Sequence, residues 1–153
     1  MLLIILAIGK KKSEYDSMIK EYQKRVVSPF VLELEIVEPL GIDNAQQCRE
    51  KESEKLLSKI KKGDFVIALD ERGHEYSTIE FSKLVEAKLN ESLKRIVFVI
   101  GGAYGLDENF KSQANKIMRL SAITLPHELA RLVTAEQLYR VTNLISGGKY
   151  HHE

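Results

Sequence analysis

Apolar residues follow two patterns along this chain: short unbroken runs, and longer stretches in which they recur every three or four positions. The unbroken runs predict buried β-strands, and a run that alternates with glutamates predicts a strand with one wetter face. Five strands are predicted, at residues 2–8, 30–37, 65–69, 96–100 and 117–120. Because helical stretches separate them, the pattern indicates one α/β domain over residues 1–153, with a mostly parallel sheet and helices on both faces.

The helical stretches are bounded by residues that commonly start and end helices. Helices are predicted from residue 13 to about 25, 43 to 60, 78 to 89, 107 to 114 and 126 to 145. Ser13, Thr78 and Asp107 are the expected N-caps, because their side-chain oxygens accept hydrogen bonds from the free N–H groups of a first turn. Pro126 suits a first helical turn, and Gly147 with Gly148 ends the last helix.

The last predicted helix is apolar nearly all round its circumference. Its leucine, valine and isoleucine side chains between residues 129 and 145 do not fit one stripe, so the helix is expected to be buried on more than one side. Either a second subunit covers the additional side, or the helix lies deep in the core of its own chain. We favour the first alternative, which predicts a homodimer.

The charge balance limits the kinds of partner. Twenty-three lysines and arginines stand against 22 aspartates and glutamates, for a net charge of +1. A protein that grips naked nucleic acid by charge alone is therefore not expected, because such binding depends on many unopposed cations. Lys10, Lys11 and Lys12 form a local basic run, which is either a solvated surface or a contact for RNA.

Cysteine content and the N-terminal residues bear on the cellular location. Cys48 is the only cysteine, so no internal disulfide forms and a reducing, cytoplasmic setting is expected. Nothing in the sequence around Cys48 indicates a catalytic thiol. The apolar run at residues 1–8 is too short to span a bilayer and lacks the basic leader and cleavage site of a signal peptide.

Three loops follow predicted strands and are expected to meet at the carboxyl edge of the sheet, where open parallel sheets bind ligands. These loops are residues 69–73, 101–105 and 120–127. The glycine-rich second loop has neither the Lys-Ser/Thr of a P-loop nor the spacing of a dinucleotide fingerprint. The apolar third loop, with its free backbone groups, favours a nucleoside-type cofactor over a triphosphate.

Histidines and one arginine are the remaining candidates for chemistry. His74 is interpreted as a solvated loop residue, and His127 either caps the last helix or contacts substrate. His151 and His152 are neighbours, and no spacing typical of a metal site occurs, so we expect no metal. Arg131 is expected in surface or interface ion pairs, with contact to a substrate phosphate as the alternative.

Several of these segments together resemble one protein family over the whole chain. The similar segments are residues 6–10, Leu69 with Asp70, residues 98–102 with 105–106, residues 120–127, residues 136–140, and Tyr150 with His151. The chain is similar to the RlmH family of bacterial ribosomal RNA large-subunit methyltransferases, which are minimal members of the SPOUT superfamily. This resemblance implies a C-terminal trefoil knot in the sheet, a feature that sequence patterns do not predict.

The resemblance also implies a reaction. It predicts S-adenosyl-methionine as methyl donor and N3 of a pseudouridine in 23S rRNA as acceptor. Because the sequence shows no appended RNA-binding domain, the expected partner is the assembled ribosome, recognised by shape. The residues implied to bind the cofactor are Leu69, Gly101, Gly102, Gly105, Leu120, Ser121, Ala122, Ile123, Thr124 and Leu125. Two alternatives stay open: a methyltransferase of the same fold that acts on tRNA or a small molecule, and a catalytically silent RNA- or ribosome-binding module.

The resemblance places the catalytic residues near the end of the chain. Tyr150 and His151 are expected to act at the cofactor of the other subunit in a homodimer, with His127 and Arg131 as further candidates. His151, His127, Glu153 and the terminal carboxylate are all able to accept the proton of the acceptor nitrogen, and the sequence does not choose among them. His152 stands where many relatives carry Arg or Lys, so this chain lacks a fixed positive charge there.

Overall fold

The structure is a computed structural model that describes residues 1–150. Five strands and five helices follow one another in strict alternation. Their bounds are β1 (Leu2–Ile8), α1 (Asp16–Arg25), β2 (Val31–Val37), α2 (Ala45–Leu57), β3 (Phe65–Glu75), α3 (Thr78–Asn90), β4 (Arg95–Ile100), α4 (Glu108–Gln113), β5 (Lys116–Arg119) and α5 (His127–Ile145).

The strands form one sheet in the order β2-β1-β4-β3-β5, and all four neighbouring pairs are parallel. Side chains of β1 and β4 that point to one face, such as Ile5 and Phe98, pack against α1, α3 and α5. Those that point to the other face, such as Leu6 and Val99, pack with residues of α2 and α4, including Leu56 and Phe110. The predicted α/β architecture with helices on both faces is confirmed.

Helix α5 brings the chain back from the edge strand β5 to the middle of the sheet. It packs between α1 and α3 and against β1 and β4. Ala135, Leu138 and Val141 are fully buried there, so the core of the chain itself covers one broad side of the helix. The homodimer and the trefoil knot stay predictions.

Strand β3 is longer than predicted. Residues 65–69 pair with β4, and after a register shift His74 and Glu75 pair with β5. Residues 70–73 therefore lie within an irregular strand, and the prediction that they form a separate loop is wrong. The backbone of Met118 passes so close to Gly73 that a Cβ there would lie 2.5 Å from its carbonyl carbon.

Two predicted helix starts are also wrong. Helix α1 begins at Asp16, whose carboxylate accepts a hydrogen bond from the backbone N–H of Ser13 at 3.1 Å. Helix α3 is capped by Ser77, one residue before Thr78, because Ser77 and Glu80 form a reciprocal capping box. Asp107 caps α4 as predicted, and its carboxylate accepts from the backbone N–H of Phe110 at 2.7 Å.

Candidate active site

A cavity of about 520 Å³ lies beside residues 69–72 of β3 and the carboxyl ends of β4 and β5. Its volume is in the usual range for small-molecule sites. Nine of the ten residues predicted to bind a cofactor line it: Leu69, Gly101, Gly102, Gly105, Leu120, Ser121, Ile123, Thr124 and Leu125. Ala122 is exposed and is not part of the lining. The sheet therefore brings the three predicted loops together around one space.

The glycine loop at residues 101–105 folds tightly upon itself. The backbone N–H of Gly105, which has φ of +74°, donates to the carbonyl of Gly102 at 3.0 Å. A Cβ on Gly101 would lie 2.6 Å from the carbonyl carbon of Gly105. Glycine at position 101 is thus required by the loop itself, which leaves the backbone of the loop open to the cavity.

Helix α2 supports the glycine loop with two buried polar residues that the sequence analysis missed. Glu52, which is 3% exposed, accepts a hydrogen bond from the backbone N–H of Leu40 at 3.1 Å and lies against Gly102. The hydroxyl of Ser53 accepts from the backbone N–H of Asp107 at 3.0 Å. The sequence pattern that could have identified them is their position four and three residues before Leu56, on the same buried face of α2.

Cys48 lies one turn before Glu52 on α2 and is buried. Burial, followed by the charge of Glu52, raises the pKa of the Cys48 thiol. A raised pKa keeps the sulfur protonated near neutral pH, whereas nucleophilic cysteines are thiolates. The environment of Cys48 is therefore that of a packing residue.

The third loop closes the apolar side of the cavity. The Thr124 hydroxyl donates to the carboxylate of Glu71 at 3.1 Å, which joins this loop to β3. The backbone N–H of Ile123 donates to the Ser121 hydroxyl at 3.1 Å, and the Ile123 side chain is 73% exposed at the mouth. Leu120 and Leu125 contact the hydrophobic core beneath.

Charged residues line the opposite side of the cavity. Lys111 Nζ lies 2.6 Å from a Glu108 carboxylate oxygen and 3.5 Å from one of Asp70. The hydrogen bond to Glu108, together with the charge of Asp70, raises the pKa of Lys111 despite its partial burial. Arg49 also lines the cavity, and its buried Nε has no hydrogen-bond partner within residues 1–150. One side of the cavity thus suits an apolar ring, and the other suits a charged amino-acid moiety.

Arg131 does not lie on the surface, so the prediction of a surface ion pair is wrong. It is 1% exposed, and its guanidinium donates to the backbone carbonyls of Ile8 at 3.2 Å and Lys10 at 3.4 Å. Burial lowers the pKa of Arg131. The guanidinium occupies the space beside Gly9, where a Cβ would overlap it. In this structure Arg131 fixes the end of β1 to α5, and its predicted catalytic role stays a prediction.

The other catalytic candidates lie in different places. His127 lines the cavity, whereas Tyr150 packs on α5. The Tyr150 hydroxyl donates to Glu136 at 3.3 Å, and its ring lies 4.6 Å from that of Tyr139. Burial and the nearby Glu136 carboxylate raise the pKa of Tyr150. His151, His152 and Glu153 lie outside the described residues.

A parallel sheet with backbone-rich loops around an apolar and charged cavity defines an α/β protein that binds a nucleoside-type ligand. A family model described as predicted SPOUT methyltransferase matches residues 1–151, and the chain belongs to this SPOUT methyltransferase family. A ribosomal RNA large subunit methyltransferase H of Christiangramia forsetii is 38% identical, with 99% of each chain covered. The protein of the same name from Parabacteroides distasonis is 35% identical, over 97% of this chain and 98% of that protein. The resemblance to the RlmH family is confirmed.

A solved structure agrees with the fold. A probable methylase family protein from Haemophilus influenzae superposes with a TM-score of 0.59 at 16% identity, covering 99% of this chain and 70% of that chain. At this identity the likeness concerns the fold alone.

The methyl donor of the family is S-adenosyl-methionine, and the cavity fits it. Leu120 and Leu125 suit the adenine ring, the exposed loop backbone suits its polar edge, and Arg49 has an unused donor for a carboxylate. Within the described part of the chain, no three histidine, cysteine, aspartate or glutamate side chains are grouped to hold a metal ion. None of the helices in residues 1–150 has the length and apolar character needed to cross a membrane.

Proposed function

We propose that the protein transfers a methyl group from S-adenosyl-methionine to N3 of a pseudouridine in 23S rRNA, and that it acts in the cytoplasm on assembled ribosomes. The observation that carries this proposal is the cavity, in which nine residues implied by the family resemblance meet at the carboxyl edge of the sheet. The names of the full-length relatives support ribosomal RNA of the large subunit as substrate.

The reaction needs alignment of the acceptor more than activation of the donor. When bound, S-adenosyl-methionine supplies an electrophilic methyl group on a positively charged sulfur. As the new N3–CH₃ bond forms and the S–CH₃ bond breaks, the N3 proton passes to a base. Positioning contributes about 7–11 kcal/mol to such reactions. A general base contributes roughly 10²–10⁴-fold. The protein is therefore expected to act mainly by holding the acceptor base against the cofactor cavity.

The base is proposed to be one of three side chains. His151 is the first candidate, and Glu153 and His127, which lines the cofactor cavity, are the others. In the proposed homodimer the tail of one subunit reaches the cofactor of the partner. In support, Tyr150 packs near Tyr139 and Arg140 on α5 and is not among the residues that line the cofactor cavity of its own chain.

Contacts to RNA phosphates are proposed for four exposed basic residues. Lys10, Lys11 and Lys12 follow β1 directly and are exposed, although Lys11 lies 3.5 Å from Glu38. Lys149 is exposed after α5. This small number of basic residues is consistent with a partner that is recognised mainly by its shape, as the assembled ribosome would be.

The test is methyl transfer from radiolabelled donor to ribosomes that lack this modification, followed by digestion and mapping of the label. Label on one pseudouridine of 23S rRNA is the expected result. Label on tRNA instead would support the alternative in which the protein is a tRNA methyltransferase. Donor binding by calorimetry without transfer to any RNA, or no donor binding, would favour the catalytically silent module.

A further inference from the structure

A second cavity, of about 760 Å³, adjoins the cofactor cavity on the side of β1. It lies between the end of β1, the loop before α2 and the glycine loop. The two cavities share five lining residues, which form a common wall: Gly102, Ala103, Tyr104, Pro126 and His127. Nothing in the reaction described above uses this second space.

The common wall is tightly packed at one point and aromatic at another. At Gly102 the Glu52 carboxylate and Ile8 fill the space beside the backbone, and a Cβ there would lie 2.4 Å from a carboxylate oxygen of Glu52. Tyr104 follows two residues later, lines both cavities and is 44% exposed. Exposed aromatic rings stack on unpaired nucleobases, and RNA bases are commonly held in this way. A base on Tyr104 would therefore lie beside the cofactor cavity.

The charges around the second cavity distinguish between possible occupants. Four carboxylates line it, those of Glu14, Asp43, Glu52 and Glu128, against the single cation Lys10. This excess of negative charge disfavours a phosphate group. It favours a neutral ring whose N–H groups donate hydrogen bonds, and a uracil-type base has such an edge. Lys11 and Lys12 are exposed outside the cavity, where phosphates of the same RNA would remain.

We propose that the second cavity receives the acceptor base, extruded from the RNA, and that Tyr104 is a positioning residue that stacks on it. This inference rests on the proposed function, because it assigns the binding site for the uracil-type acceptor of that reaction. The Tyr104 ring holds the plane of the base, and the wall that the two cavities share places the edge of the base beside the cofactor cavity.

The experiment compares steady-state methylation of unmodified ribosomes by wild type, Tyr104→Ala and Tyr104→Phe. Donor affinity of each protein is measured separately by calorimetry in the absence of RNA. Val27→Ala serves as the control for removal of an exposed apolar side chain, since Val27 is 57% exposed and lines neither cavity. Tyr104 is itself exposed, so its replacement is expected to leave the fold intact.

The expected result is a loss of about ten- to a hundredfold in kcat/KM for ribosomes with Tyr104→Ala, the range for removal of one base-stacking ring. Donor affinity should stay within twofold, and Tyr104→Phe should recover most of the loss because it keeps the aromatic face. A parallel loss of donor affinity would assign Tyr104 to the cofactor and overturn the proposal. Unchanged kcat/KM in Tyr104→Ala would also overturn it. Absence of methylation by wild type would instead refute the proposed function.

Discussion

Substituting Gly9 with alanine is expected to destabilise the protein through Arg131, a residue 122 positions away in sequence. A Cβ at position 9 would overlap the Arg131 guanidinium, so the side chain must leave its place. It then loses its hydrogen bonds to the carbonyls of Ile8 and Lys10 while most of the side chain stays buried. Leaving a buried charge without partners costs about 3–5 kcal/mol. The two hydrogen bonds are long, so we expect the lower end, about 3 kcal/mol, for their loss. Alanine at the φ of +157° adds backbone strain of about 1–3 kcal/mol.

A double-mutant cycle with Arg131→Met tests this reasoning. The single variant Arg131→Met removes the charge but leaves two backbone carbonyls without donors, for an expected cost of about 2–4 kcal/mol. In the Arg131→Met background the added Cβ meets a flexible side chain, so Gly9→Ala should cost only its backbone strain at φ of +157°, about 1–3 kcal/mol. The measurement is urea unfolding followed by circular dichroism, at one fixed protein concentration because a dimer would make stability depend on it.

Gly41→Ala is the matched control. Gly41 has φ of +63°, and a Cβ added there would have no atom of residues 1–150 within 4 Å, so alanine adds backbone strain alone. That strain costs about 1–2 kcal/mol and should be equal in both backgrounds. If Gly9→Ala and Arg131→Met add within about 0.5 kcal/mol, the two residues act independently and the reasoning is refuted.

Three further predictions concern the cofactor loop, a capping carboxylate and the chain end. Gly101→Ala should weaken donor binding, measured by calorimetry, at least tenfold, because the added Cβ would collide with the backbone of Gly105 and distort the loop. Unchanged affinity would show that this loop does not bind the cofactor. Hydrogen bonds from Ser77 lower the pKa of Glu80 below its ordinary value of 4.5. The ionised carboxylate therefore stabilises the fold fully above pH 4.5, and this stabilisation is lost as the pH falls through the lowered pKa of the folded state. The stability advantage of wild type over Glu80→Gln should therefore be full at pH 7 and vanish in acid; a constant difference would contradict it. His151→Ala should impair methyl transfer without abolishing it, and undiminished turnover would exclude His151 as the base.

The α/β architecture was predictable because buried strands and amphipathic helices leave different local patterns. The two cavity loops at residues 101–105 and 120–127 were predictable for the same reason, since each follows a strand and parallel strands end at one edge. The length of β3 could not be predicted, because residues 70–75 are polar and include Gly73, a composition that is typical of a turn. Only pairing with the four-residue strand β5, more than 40 positions later, extends them as a strand.

The position of Arg131 could not be predicted because it depends on a distant glycine. On α5 the residue lies among Glu128, Glu136 and Arg140, a spacing typical of exposed ion pairs, and only Arg140 and Glu136 form one. The space that admits the guanidinium comes from Gly9, on another element. Ser77 was different, because its capping box with Glu80 was visible in the sequence, although the neighbouring Thr78 offered a competing cap.

The packing of α5 has a consequence for how the protein is made. Among the helices of residues 1–150, α5 is translated last. It nevertheless covers β1 and α1, and Arg131 donates hydrogen bonds to residues 121 and 123 positions earlier. Contacts between such distant segments form slowly, because the entropy of closing a long loop is lost before the contact stabilises the chain. A nascent chain without residues 127–145 leaves uncovered the part of the β1 and β4 face that lies beside α1 and α3. The cavity wall at residues 120–130 is therefore completed only after α5 has been made, so the donor site forms later than the five strands of the sheet.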